Sequence, residues 1–92
     1  DNCLLSWDVL IMDSDHHKII GEDGDVINPP TPVVIGDKVW IGCRCSILKG
    51  SKIPDNSVVG ANTVVTGELM EKNSLYAGLP AKFIKGNIDW AM

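Results

Sequence analysis

Aliphatic residues recur along this chain at every sixth position. From Ile35 the series runs Ile35, Ile41, Ile47, Ile53, Val59 and Val65, all β-branched. Gly36, Gly42 and Gly60 follow three of them. The fifth place of each hexad holds Val39, Cys45, Ser51, Ser57, Thr63 and Leu69, most of them small. A period of six matches neither the 3.6-residue helix nor the two-residue alternation of a strand. It fits a backbone that runs straight for about four residues and then turns, pointing one aliphatic side chain per straight run into a shared interior. Three such runs close a coil of about eighteen residues. The small fifth residue lies near the corner, where a larger one would crowd the interior. Gly, Asp and Asn between the runs allow the backbone of the corner. One coil leaves its apolar edge and its backbone donors and acceptors open, so coils must stack.

The pattern extends upstream through Leu5 and Ile11, with Cys3 and Val9 in fifth places. Between Ile11 and Ile35 the inward positions would be His17, Asp23 and Pro29, and none suits an apolar core. Residues 13–32, with their GEDGD and NPPTP runs, are therefore predicted as a loop that leaves the coil and returns. Long loops of this kind usually carry function. Past Val65 the period fades, and residues 67–74 read as a polar turn. Residues 80–92 are predicted as a short C-terminal helix or an extended tail capping the open end of the stack. The expected architecture is all-β, a parallel β-helix forming a single domain over residues 1–92. The chain opens at Asp1 without Met, partway through a strand-like pattern, and is read as part of a longer protein.

Composition supports strands. Ten Ile and nine Val outnumber seven Leu and four Ala. Eight basic against twelve acidic residues give a net charge of −4, which argues against nucleic acid or an anionic membrane as partner. No apolar run approaches the roughly 20 residues of a spanning helix. Cys3, Cys43 and Cys45 are an odd set without a signal peptide, which points to a reducing cytoplasm. Cys43-x-Cys45 and the His16–His17 pair raise the question of zinc. Their spacing matches no standard site, and adjacent histidines rarely bind one ion, so no metal is expected.

Three stretches are similar to a known family. Pro32 to Gly42 (PVVIGDKVWIG), Ile53 to Thr66 (IPDNSVVGANTVVT) and Tyr76 to Lys85 (YAGLPAKFIK) resemble the hexapeptide-repeat acyltransferases, whose fold is a left-handed parallel β-helix. That handedness departs from the usual right-handed crossover. Ile11 to Ile19 (IMDSDHHKI) resembles the loop entry of the maltose, galactoside and capsular-polysaccharide O-acetyltransferase branch. The resemblance implies acetyl-CoA as co-substrate, a sugar or polysaccharide hydroxyl as acceptor, a cytoplasmic homotrimer, and coenzyme bound between neighbouring coils. An inactive β-helix scaffold is the alternative.

Moving an acetyl group from a thioester to a hydroxyl needs a base for the hydroxyl proton and donors facing the oxyanion. Histidine is the natural base near neutral pH. His16 and His17 stand where the resemblance puts the catalytic histidine. The D-S-D-x-H spacing favours His17, and counting back from Pro32 favours His16. Asp13 or Asp15 would orient the imidazole. The resemblance assigns the backbone N–H at Cys43, next to Gly42, to the thioester carbonyl, and gives the Cys43 side chain no role. It places Ala61 and Thr66 along the pantetheine arm, and Lys82 and Lys85, three apart on an expected tail helix, at the coenzyme phosphates. Trp40 takes an outward hexad place and is expected to cover a ligand or a subunit neighbour.

Overall fold

The structure is a computed structural model and describes residues 2–92. The hexads form a prism of short strands. One face is the sheet β1 (Leu4–Leu5), β4 (Trp40–Ile41), β7 (Val58–Val59), β9 (Leu75–Ala77) and β10 (Lys82–Lys85), in that spatial order. A second face stacks β2 (Leu10–Ile11), β5 (Ser46–Ile47) and β8 (Val64–Val65). The third pairs β3 (Val34–Ile35) with β6 (Lys52–Ile53). Trp40 aligns with Val58, Ser46 with Val64 and Val34 with Lys52, all parallel and eighteen residues apart. The chain is the left-handed parallel β-helix expected from its hexads and resemblance.

Burial follows the hexad. Ile41, Ile47, Val59 and Val65 are fully buried and Ile53 nearly so. The fifth-place residues Val39, Cys45, Ser51, Ser57 and Thr63 line the same interior. Their small polar side chains are satisfied by nearby backbone: Ser51 Oγ donates to Leu48 O at 2.6 Å, Ser57 Oγ donates to Pro54 O at 2.7 Å, and Thr63 Oγ1 accepts from Gly78 N at 3.2 Å. Burial thus leaves these hydroxyls paired, which avoids the cost of an orphaned polar group. Leu5 and Ile11 face the same axis and are about half exposed among the described residues.

Two regions differ from a regular coil. Leu4 aligns with Trp40 and Leu10 with Ser46, thirty-six positions on, so the loop adds one coil's length without shifting the hydrophobic register. Thr31 N donates to Asp13 O at 2.9 Å and closes the loop's neck. The loop itself is a small antiparallel finger, with Ile20 bridged to Val26 and Ile27 N donating to Ile19 O at 2.9 Å. At the other end Val58 aligns with Leu75, one residue short of the period. The chain then turns and β10 runs antiparallel to β9. Of the two tail forms expected, the extended one is present, and no helix occurs among the described residues. Pairing with the open edge of β9 satisfies backbone that a helix would leave bare. Among the described residues no helix is long and apolar enough to cross a membrane.

Candidate functional site

Two corners of the prism carry the candidate chemistry. The first joins the β1–β4–β7 face to the β2–β5–β8 face. Asp8, Arg44 and Asn62 occupy equivalent places in three successive coils, with φ of 60°, 59° and 58°. Each corner seats on the next: Arg44 N donates to Trp7 O at 3.1 Å, and Asn62 N to Cys43 O at 2.9 Å. Gly42 permits this close stacking, since a Cβ there would stand 2.7 Å from Ala61 N.

Beside this corner lies a cavity of about 550 Å³, lined chiefly by apolar groups from Trp7, Trp40, Cys43, Val58, Ala61 and Trp90. Gly42 also borders it. The structure therefore brings Trp40, Gly42, Cys43 and Ala61 together. Trp40 points outward, but Trp90 covers it, with ring centroids 5.9 Å apart at 48°. The indole expected to cover a ligand or a subunit neighbour is thus half-buried against the chain's own Trp90. Its Nε1 is buried without a hydrogen-bond partner.

Trp90 arrives through the C-terminal tail. After β10 the chain runs back along the corner formed by Lys38, Asn56 and Asn73, all with left-handed backbone. Ile88 N donates to Asn73 O, and Trp90 Nε1 to Lys38 O, each at 2.9 Å. Lys38 Nζ lies 2.8 Å from Asp89 Oδ1 and 5.6 Å from the Trp90 ring centroid. Lys38, then the Trp90 backbone N–H, holds the Asp89 carboxyl below its ordinary value. Trp7 and Trp90 were not singled out in the sequence. Trp90 lies far in sequence from Trp40, and no local pattern links them.

The second corner carries the finger and both histidines, which are exposed. His16 has a φ of 69°, and its N–H donates to Ser14 Oγ at 3.0 Å. Among the described residues neither Asp13 nor Asp15 bonds to an imidazole. Asp13 holds the neck through its carbonyl, as above. Asp15 Oδ2 accepts from Lys49 Nζ and from Asn28 Nδ2, both at 2.8 Å. Lys49, then Asn28, holds the Asp15 carboxyl below its ordinary value. Thr66 leaves β8 at this same corner, exposed and away from the Ala61 cavity. Lys82 and Lys85 lie on β10, exposed, and are strand rather than helix residues. Lys85 aligns with Leu75, which continues the outward row Trp40–Val58–Leu75.

Cys45 is buried, and desolvation pushes its thiol up, which suits a packing residue. No cluster of three or more potential metal-binding side chains occurs among the described residues.

Comparison with known proteins finds similar sequences and similar structures. The family model described as "Bacterial transferase hexapeptide (six repeats)" matches residues 32–67. The polysialic acid O-acetyltransferase of Escherichia coli O1:K1 is 36% identical over 91 residues, covering 98% of this chain and 29% of that protein. Among solved structures, the polysialic acid O-acetyltransferase OatWY superposes with a TM-score of 0.95 at 42% identity, over 98% of this chain and 43% of its own. A galactoside acetyltransferase in complex with coenzyme A superposes with a TM-score of 0.80 at 30% identity, over 95% of this chain and 43% of its own. The chain spans 26%, 41% and 29% of the lengths of three curated relatives, all O-acetyltransferases by name.

Proposed function

The chain belongs to the hexapeptide-repeat acyltransferase family, and on that premise we propose that it carries the donor groove and the base of an acetyl-CoA-dependent O-acetyltransferase acting on a sugar or polysaccharide hydroxyl. The observation that carries the reading is the apolar cavity joining Trp40, Gly42, Cys43 and Ala61 on one corner. Its lining suits a pantetheine arm, and the outward row from Trp40 ends at Lys85. Three strand spacings separate those ends, roughly 14 Å. Lys82 and Lys85 would meet the coenzyme phosphates there.

The base is His16 or His17. Left-handed backbone recurs at the coil corners, as at Asp8, Arg44 and Asn62, but His16 has it within the finger, outside that corner series, and this favours His16. In the reaction the acceptor hydroxyl oxygen attacks the thioester carbonyl while the imidazole takes its proton. The Cys43 backbone N–H faces the developing oxyanion. The C–S bond then breaks, the acetyl group stays on the acceptor oxygen, and the imidazolium returns its proton to the departing thiolate. No covalent intermediate on the protein is required.

The histidines lie on a different corner from the cavity, and Thr66 shares the histidine corner. A complete site would then be assembled from two copies, with the histidine finger of one facing the cavity of another. Such sharing needs a closed homo-oligomer, in keeping with the cytoplasmic homotrimer of our reading. The test is acetyl-CoA turnover against a panel of sugars and glycans. Changing both His16 and His17 to Ala is expected to remove nearly all transfer while coenzyme A binding by calorimetry persists. Full transfer in that variant eliminates the mechanism. A wild-type protein giving no saturable heat with coenzyme A is a scaffold instead.

A further inference from the structure

The finger is organised around one side chain that the mechanism above does not use. Asn28 is half-buried at the return limb of the loop. Its Oδ1 accepts from Ile19 N at 2.6 Å, and its Nδ2 donates to Asp15 Oδ2 at 2.8 Å and to His17 O at 2.9 Å. Three points on the outgoing limb are thus held by one amide. Asn28 is itself constrained: it precedes Pro29 and Pro30, and a residue before proline is confined to extended backbone. Lys49 on the neighbouring coil completes the arrangement. Its Nζ pairs with Asp15 and also donates to Pro29 O at 3.1 Å. The finger is therefore fastened to the prism at the place where Asn28 fastens its two limbs together.

His16 lies between two of the residues so held. On one side the Asp15 carboxylate is fixed, and on the other the His17 carbonyl. The His16 N–H is occupied by Ser14 Oγ. At the prism corners, as at Arg44 and Asn62, coil stacking accounts for the left-handed backbone, whereas His16 lies in the finger, where its own loop contacts must hold it. We propose that Asn28 is a positioning residue for catalysis: by joining the Asp15 carboxylate, the His17 carbonyl and the Ile19 amide, it imposes the turn that presents the His16 imidazole. This rests on the acetyltransferase reading above. It adds a residue with no proton to give or take, acting only through geometry.

Asn28→Ala removes all three bonds. Asn28→Asp keeps an acceptor for Ile19 N but loses both donors and sets a carboxylate against that of Asp15. Both variants are compared with wild type in the intact protein, by steady-state acetyl transfer, coenzyme A calorimetry, melting temperature and oligomeric state. Misplacing a base by about 1 Å costs up to about 100-fold, so kcat is expected to fall about 10- to 100-fold in Asn28→Ala and at least as much in Asn28→Asp. The KM for acetyl-CoA and the affinity for coenzyme A should stay within about twofold, since the donor cavity is on another corner. In a His16→Ala background, adding Asn28→Ala should change nothing further, because the two changes remove the same function. A kcat within twofold of wild type overturns the proposal. So does a loss confined to KM or to melting temperature, or a further fall in the His16→Ala background. If wild type is active and only these results fail, Asn28 is structural and the acetyltransferase reading stands. If wild type neither binds coenzyme A nor transfers acetyl, that reading fails and this proposal falls with it.

Discussion

At the scale of single residues, the finger depends on charges that titrate. Asp15 is exposed and its carboxyl is held low, first by Lys49 and then by Asn28. Its value in the folded chain is below its unfolded value. The contribution it makes is therefore complete above the unfolded value and is lost as pH falls through the folded one. At neutral pH the clamp is intact, and it loosens only in acid below the ordinary aspartate value of 3.8. Lys49→Met should move the Asp15 titration back toward that value, followed by carboxyl chemical shifts against pH. An unchanged midpoint would mean that the ion pair does not persist in solution. The histidines were legible in the sequence because they are the chain's two natural bases and stand at a break in the hexads. Asn28 and Lys49 were not. Their partners lie 9–13 residues away across the loop or on the next coil, and only loop closure brings them together.

The strands were legible as a period, since each inward place of the regular coils is filled by an aliphatic residue. Their contributions differ with the side of the strand. Ile47 is fully buried between coils, whereas Val34, in an outward place, is 51% exposed. Ile47→Ala should cost about 2–5 kcal/mol and Val34→Ala clearly less, measured by denaturant unfolding. Equal losses would contradict the inward and outward assignment. Gly42→Ala forces a methyl group against the backbone of Ala61 and should cost about 1–3 kcal/mol by the same measurement. The tail was harder to read. AKFIK carries both helix- and strand-forming residues, and what decides is the open edge of β9, a tertiary feature. The same tail delivers Trp90, buried against Trp40. Trp90→Ala should destabilise by about 3 kcal/mol and weaken coenzyme A binding, because it removes one wall of the cavity. Destabilisation with unchanged binding would place the ligand elsewhere.

For the molecule as a whole, the placement of the two corners decides the account. Periodicity located the histidine loop and the outward place of Trp40, and the family resemblance named Gly42, Cys43 and Ala61. Neither gave any sign that loop and cavity face different ways, because that follows from how three faces close around the axis. A groove on one corner and a base on another are reconciled if each active site is shared between two copies in a closed ring. Complementation tests this most directly. His16→Ala/His17→Ala removes the proposed base, and Ala61→Trp, at an exposed groove position, fills the cavity. Each variant alone should be inactive. Co-expressed, they are expected to form mixed trimers in which one subunit supplies the histidines and its neighbour the open groove, and about a quarter of wild-type acetyl transfer should return. Mixed trimers that form, shown by native mass spectrometry, yet transfer no more acetyl than the separate variants would contradict the shared site.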